Sequence, residues 1–468
     1  MPFVILPTNS ASGGYDLTNS LRFNSASNDY LDRTPASAGD RLKYTYSFWI
    51  KKTQNSSTIT PLDASSDGNN RSLILFDSNN LRMVTLVGGS VTTNLITSAV
   101  YRDVSAWYHV VVVYDSAQAT SSNRVKFYIN GSQITDFGTA TYPSQNQNDI
   151  INNNVKHSIG RDGFYANQYL DGYMSDIFFI DGQALTPSSF GETDFDTGIW
   201  KPKAYTGTYG TNGFYLQFKN SASLGTDSSG NGNTFTVNNL TSIDQTTDTP
   251  TNNFCTLNPL ASGVAIGGVG GNFTEGNTIF TGGSANWCAS KGTFSVTKGK
   301  WYFEAKKITN ANGTGNGAGA VGIGYAELQN PLPNDNPQAG GSILSNILFV
   351  CDNGWTTNFT SSTQWSPAYG IANNDIAGIA LDLDTNTYNF YINGVSKNSG
   401  SIGGGYDGLG LTPAIVQYGG DTRNFYFNFG NPPYTANGYT DGAGRGNFSY
   451  AVPSGYFSLC TANLSLYG

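Results

Sequence analysis

Charged side chains are scarce in this chain: Asp, Glu, Lys and Arg make up 12% of its 468 residues and leave a formal net charge of −8. Binding a phosphate backbone needs clustered Lys and Arg, so nucleic acid is not an expected partner. Histidine occurs only at His109 and His157. Neither stands near a Gly-X-Ser-X-Gly elbow or a Cys-His signature, which argues against acyl-transfer chemistry. The four cysteines, Cys255, Cys288, Cys351 and Cys460, fall in the second half without a CxxC pair. Neither a zinc ribbon nor a disulfide framework is indicated, and inert buried thiols are expected. No run approaches the roughly 18 apolar residues of a membrane span, so no membrane insertion is expected. Met1 to Pro7 lack the charged start and apolar centre of a secretory signal, which points to synthesis in a cytoplasm without an export address.

What the chain has in quantity is glycine, 57 copies, and aromatic residues, 13%, among much Asn, Ser and Thr. This is a turn-rich, β-rich composition. The stretch Asp375 to Gly400 carries an alternating strand into a second one ending at Asn393-Gly394, the signature of a β-hairpin. A similar hairpin end, Lys126 to Gln133, lies in the other half. Short alternating segments recur at Tyr44 to Lys51, Ser72 to Phe76, Trp107 to Tyr114, Val125 to Asn130 and Met174 to Ile180. No segment keeps a helical period over three turns.

The expected fold is therefore all-β: two antiparallel β-sandwich (jelly-roll) domains joined by a turn-rich connector. The boundaries are 1–199 for the first domain, 200–250 for the connector and 251–468 for the second. The connector reading rests on the Thr, Asn, Ser and Gly texture between Trp200 and Leu260. A weak repeat brackets the second domain. Pro250 to Pro259 and Pro453 to Leu464 each place Cys-Thr-X-Asn after an aromatic residue, as closing strands that pair would.

Three motifs come in order in the first half: Trp107 to Val110, the Tyr128 to Gly131 hairpin, and Asp171 to Ile177. With Ser158 to Arg161 before the last, residues 16 to 195 resemble a laminin-G-like, concanavalin-A-like lectin jelly roll. The second half resembles a SPRY domain through Trp301 to Ala305, Val321 to Tyr325, Asp375 to Asp384, Asn389 to Val395, and Leu411 to Ala414 followed by Phe427 to Gly430. That resemblance implies a two-sheet sandwich whose end loops hold proteins or glycans without catalysis. The combination, with Thr226 to Thr241 and Thr249 to Leu260 between, resembles virion proteins of tailed bacteriophages, marine ones in particular, of tail-fibre or head-decoration type. It implies a location on the virion and other virion proteins of tail or capsid as partners. It also implies a host-surface glycan or receptor, and a homo-oligomer such as a trimer, although no heptad or β-helix repeat specifies one.

Glycosidases on such folds need two carboxyl groups about 5 to 9.5 Å apart. The glutamates are Glu192, Glu275, Glu304 and Glu327, and no two share a strand. Glu304 is expected as a strand residue paired with a nearby Lys, and Asp382 and Asp384, alternating with Leu381 and Leu383, as a solvated face. His109, within an apolar strand, is expected to be buried. No catalytic residue is assigned and the chain is read as no enzyme. No cofactor is expected. Structural calcium is open: Asp63 to Asn70 superficially resembles a calcium loop, but position twelve is Ile74 and not Glu. Trp49, Trp107 and Trp301 are assigned to the core. A sugar site pairs an exposed ring with side chains that bond hydroxyls. Two segments have that chemistry: Tyr165, Asn167, Gln168 and Tyr169, and Trp355, Asn358, Trp365 and Tyr369.

Overall fold

The computed structural model describes residues 15–55, 57–264, 271–282, 286–309, 319–325, 347–351, 355–358, 361–364, 371–402, 408–419 and 423–468. Two compact units are present, one spanning Ala11–Thr251 and the other holding Asn252–Gly468. Both are built of almost wholly antiparallel sheets, and the one α-helix among the described residues is Thr461–Tyr467.

The first unit is a sandwich. Sheet A runs, in spatial order, Ser132–Ile134, Val125–Ile129, Tyr108–Asp115, Lys43–Lys52, Gly172–Asp181, Ser20–Phe23 and Gln245–Thr246, with Phe214–Leu216 beside Gly172–Asp181. Sheet B runs Phe137–Thr141, Ser90–Thr97, Asn80–Val87, Asn70–Asp77, Ile59–Asp67, Lys156–Ile159, Tyr30–Arg33 and Thr236–Asn238. Alternation explains how they pack. Along Lys43–Lys52, the side chains of Tyr44, Tyr46, Phe48 and Ile50 share one face and join Leu62, Ile74, Met83 and Leu95 of sheet B in one core, each at most 1% exposed. Burying each such aliphatic or aromatic chain is worth roughly 1.5–3 kcal/mol.

The opposite face of that strand carries Thr45, Ser47, Trp49 and Lys51, which are buried as well. Two layers alone would leave them wet. Segments between Gln183 and Thr251 fold back over this face as a third layer, while Phe214–Leu216 and Gln245–Thr246 extend sheet A and Thr236–Asn238 extends sheet B. The Leu185 N–H donates to Thr45 Oγ1 at 2.9 Å, Trp200 Nε1 donates to His109 Nδ1 at 2.9 Å, and Lys51 Nζ meets Asp248 Oδ2 at 2.9 Å. Residues 200–250, expected as a connector, are thus part of the first unit, and Trp200–Pro202, Phe214–Leu216, Thr236–Asn238 and Gln245–Thr246 all pair within it. Strands of two or three residues are too brief for alternation to register among Thr, Asn and Gly. Trp49 and Trp107 are buried against Tyr173 beneath this layer, and not between the two sheets.

The second unit packs sheet C, in the order Leu257–Val264, Asn286–Gly292, Leu411–Gly419, Gly319–Tyr325, Ile347–Cys351, Trp355–Asn358 and Ser361–Gln364, against sheet D. Sheet D runs Asn272–Thr274, Ile279–Thr281, Arg423–Asn428, Lys300–Thr309, Ile376–Asp382, Thr387–Ile392 and Val395–Ser401. Its core joins Leu257, Val321 and Ile415 to Phe303, Ile379 and Phe427, with Trp301 buried beside them. The two Cys-Thr-X-Asn segments meet: Phe254 pairs with Cys460, and the Cys255 N–H donates to Leu459 O at 2.9 Å.

Both Asn-Gly turns have the positive φ pair of a type I′ turn, 47° and 82° at Asn130-Gly131 and 49° and 75° at Asn393-Gly394. Two carboxylates differ from expectation. Glu304 is fully buried and accepts from Asn428 Nδ2 at 3.0 Å and from the Ser449 and Tyr450 N–H groups at 2.9 and 3.0 Å, where a Lys partner was expected. Asp382 is also buried, 3.0 Å from Lys300, because the end of its strand is covered, whereas Asp384 stays exposed and accepts from the Gly299 N–H.

Candidate ligand-binding rim

Beside sheet B, the chain between Lys156–Ile159 and Gly172–Asp181 forms a loop closed by Asp162. Asp162 is 1% exposed. Its Oδ1 accepts from the N–H groups of Phe164 and Tyr165 at 3.1 and 3.0 Å, and its Oδ2 takes Arg71 Nη1 at 2.7 Å. The Asp162 N–H donates to Asn167 O at 2.9 Å, completing the ring. Ala166 and Gln168 adopt left-handed φ values of 51° and 54°. Such strain, on the order of 1–3 kcal/mol each, persists only where the surroundings over-determine the backbone. Gly163 is needed for close approach: a Cβ there would lie 2.5 Å from Ser158 Oγ and 2.6 Å from Asp63 Oδ2.

This rigid loop holds two rings in solvent. Phe164 is 45% exposed and Tyr165 55%, packed edge to face at 4.9 Å. The Arg71 guanidinium lies 4.6 Å from the Tyr165 ring centre, so one ion-paired cation supports the loop and the ring together. Two hairpin tips adjoin. Gly68 sits against the Phe164 and Tyr165 rings. Gly88 and Gly89 donate to Asn70 Oδ1 and Asn69 O. Asn69, Asn167, Val87 and Val91 are exposed on these segments. The rim therefore offers aromatic faces for the C–H side of a sugar, with amides that donate and accept for its hydroxyls.

Of the residues singled out by sequence, Tyr165 and Asn167 face solvent here. Gln168 braces the loop, its Oε1 accepting from Thr60 Oγ1 at 2.9 Å. Tyr169 is half-buried, its hydroxyl 3.5 Å from Arg161, whose guanidinium stacks 3.5 Å from the Tyr30 ring centre. In the second unit Trp355 and Asn358 lie on one strand, paired in register with Gln364 and Ser361. Trp365 and Tyr369 lie outside the described residues. Sequence reasoning missed Phe164, Arg71 and Asp162. An Asp opening an aromatic loop is an Asx-turn signal that was there to be found. Arg71 is 91 positions from its partner and has no local signal.

The stretch Asp63 to Asn70 forms the end of Ile59–Asp67 and a tight turn, in which Asp67 Oδ1 accepts from the Asn69 and Asn70 N–H groups at 2.8 and 2.9 Å. Burial, and then the nearby Asp162 carboxylate, push the Asp63 carboxyl up to about 7. His109 lies between the Trp49 and Trp200 rings with Nε2 2.8 Å from Ser47 Oγ, and burial holds it down at about 3. Two cavities of about 10 Å³ lie in the cores, one lined by Leu62, His157 and Phe179 and one by Trp301, Ile323 and Leu459. Each has room for about one water, not for a sugar ring.

Residues 25–189 match the family model of the concanavalin A-like lectin/glucanases superfamily. No curated protein matches the chain. Among solved structures, the SPRY domain of human HERC1 is 16% identical at a TM-score of 0.27, covering 36% of this chain and 96% of that one. The native heptameric SAP-like pentraxin from Limulus polyphemus is 18% identical at 0.29, covering 37% and 80%. Domain 4 of AbnA, an extracellular arabinanase from Geobacillus stearothermophilus, solved with arabinotriose, is 18% identical at 0.24, covering 31% and 64%.

Proposed function

We propose that this chain is a non-enzymatic virion surface protein, a tail fibre or similar, which recognises host-surface glycans or receptors through the rim of its first sandwich. The observation that carries the binding part is the Asp162-pinned loop, which holds Phe164 and Tyr165 in solvent on a backbone with little freedom left to lose. Preorganisation of this kind lowers the ordering cost of a shallow site. The virion part rests on the phage-like segments Thr226 to Thr241 and Thr249 to Leu260. A weak rim of this kind gains avidity from many copies on one particle, which is the role assigned to a homo-oligomer.

Adhesion fits the rim better than hydrolysis. Asp162 is engaged by two amides and Arg71, and Asp63 is fully buried, so neither is available to a glycosidic bond. The alternative is a decoration or capsid-fibre protein that contacts other virion proteins, and it is favoured by the exposed Val87 and Val91 beside the rings. One experiment separates them. Purified chain should bind host cells or an isolated host polysaccharide, and Tyr165→Ala should weaken that binding about tenfold or more while the unfolding midpoint stays put. Retention of full binding by Tyr165→Ala, or no binding at millimolar sugar, would remove the glycan reading.

A further inference from the structure

Directly beneath the rim lies a buried carboxylate against which the loop seats, with the Gly163 N–H facing it. Asp63 belongs to Ile59–Asp67, whose Leu62 and Ala64 point into the core, so alternation sets Asp63 on the outer face of sheet B, under Gly163. It is fully buried there. Its Oδ2 accepts from Ser65 Oγ at 2.9 Å, while Oδ1 has no hydrogen-bond partner. Ser158, opposite Asp63 in register, likewise has an unpartnered Oγ.

The charged groups on the packed elements are few. Asp162 comes from the loop and Arg71 from the neighbouring strand, already ion-paired with each other at 2.7 Å. On the other side Lys156 lies 3.4 Å from Asp32. His157, next to Ser158, turns the opposite way, its Nε2 accepting from the Asn152 N–H at 3.0 Å. An ionised Asp63 would therefore stand dry beside a second carboxylate whose cation is taken. A neutral Asp63 removes that buried charge and its repulsion of Asp162.

We infer that Asp63 is a proton-operated latch for the aromatic loop: in its neutral form it lets Gly163 and Asp162 seat, and on ionisation it repels Asp162 and frees Phe164 and Tyr165. The inference rests on the rim being the binding face and adds how that face is regulated. The upward push on Asp63, to about 7, sets the latch near neutrality. A carboxyl held above its unfolded value contributes fully at low pH and loses that contribution as pH rises through the folded value. The loop is thus locked in acid and loosened in mild alkali.

Amide hydrogen exchange of the full chain tests this without any glycan, so failure of the latch and failure of the glycan reading are told apart. Protection factors, corrected for the intrinsic pH dependence of exchange, are read at the Phe164 and Tyr165 amides and, as a reference, along Tyr108–Asp115. From about pH 5 to about pH 8.5 loop protection should fall at least tenfold, up to roughly a hundredfold if opening restores an ordinary carboxyl, with the reference unchanged. Asp63→Asn should hold the acid value at both pH values, and Asp162→Asn should show low protection at both. Equal wild-type protection at the two pH values overturns the latch, as does a fall that survives Asp63→Asn. Millimolar calcium that restores wild-type protection at the higher pH, but does nothing to Asp63→Asn, would replace the proton by a bound cation and overturn it too.

Discussion

Replacing Asp248 by Asn should destabilise the first unit by about 3–5 kcal/mol. Asp248 Oδ2 lies 2.9 Å from Lys51 Nζ, both side chains are 0% exposed, and Oδ1 takes Trp107 Nε1 at 3.1 Å. Asn keeps the shape and an acceptor but removes the charge that neutralises a dry ammonium. Lys51→Met alone strands the carboxylate at a similar cost, whereas Lys51→Met with Asp248→Leu removes both charges and should fall well short of the sum, with coupling of about 2–3 kcal/mol. Urea titration read by hydrogen exchange of Lys43–Lys52 and Tyr108–Asp115 reports this unit by itself. A slope of roughly 2–3 kcal/mol per molar puts the Asp248→Asn midpoint about 1–2.5 M below wild type. A shift worth under about 1 kcal/mol, or simple additivity in the double variant, would mean that the pair is not dry and that the third layer does not clamp sheet A.

Two further outcomes follow from other buried groups. Glu304→Gln weakens the charge-assisted bonds that hold the Ser449 and Tyr450 amides, so the second unit should lose about 1.5–3 kcal/mol and be cleaved faster between Asn437 and Tyr456 in limited proteolysis; an unchanged cleavage rate would count against this role. Burial holds His109 at about 3 and His157 at about 4, so as pH drops below about 6.5 the unfolded chain takes up protons that the folded one refuses, and stability falls. Asp63 and Asp176, both pushed up to about 7 chiefly by burial, act in the opposite sense over that range. The double variant Asp63→Asn, Asp176→Asn should therefore lose melting temperature more steeply than wild type from about pH 6.5 to about pH 4.5, and equal slopes would show the sign to be wrong.

Strands with strict alternation were legible to within a few residues. Tyr44 to Lys51 became Lys43–Lys52, Trp107 to Tyr114 became Tyr108–Asp115, and Met174 to Ile180 became Gly172–Asp181. In each, one face is aromatic or aliphatic and joins the core, so on that face the local signal and the tertiary demand agree. The third layer was not legible, because it follows from a need of sheet A and not from its own pattern: Trp49 and Lys51 require a cover, and residues that look like linker supply it. Asp176 shows the same limit. It lies in a recognisable motif, but that it takes a left-handed φ of 54° at a bulge and is held by Tyr215 and Tyr15 depends on chain far away in sequence. The candidate site was half visible: the exposed ring of Tyr165 could be read from composition, and its anchor at Arg71 could not.

The rim is assembled from two hairpin ends and a self-closed loop, whose turns at Gly68 and at Gly88-Gly89 lie outside the ladder of sheet B. Lengthening any of them leaves the paired backbone untouched, and doubling a loop's length costs only about 0.6 kcal/mol in closure entropy. The turns at Gly68 and at Gly88-Gly89 are therefore the natural grafting points for changing what the rim grips, since new residues there would alter its outline while the scaffold beneath keeps its register.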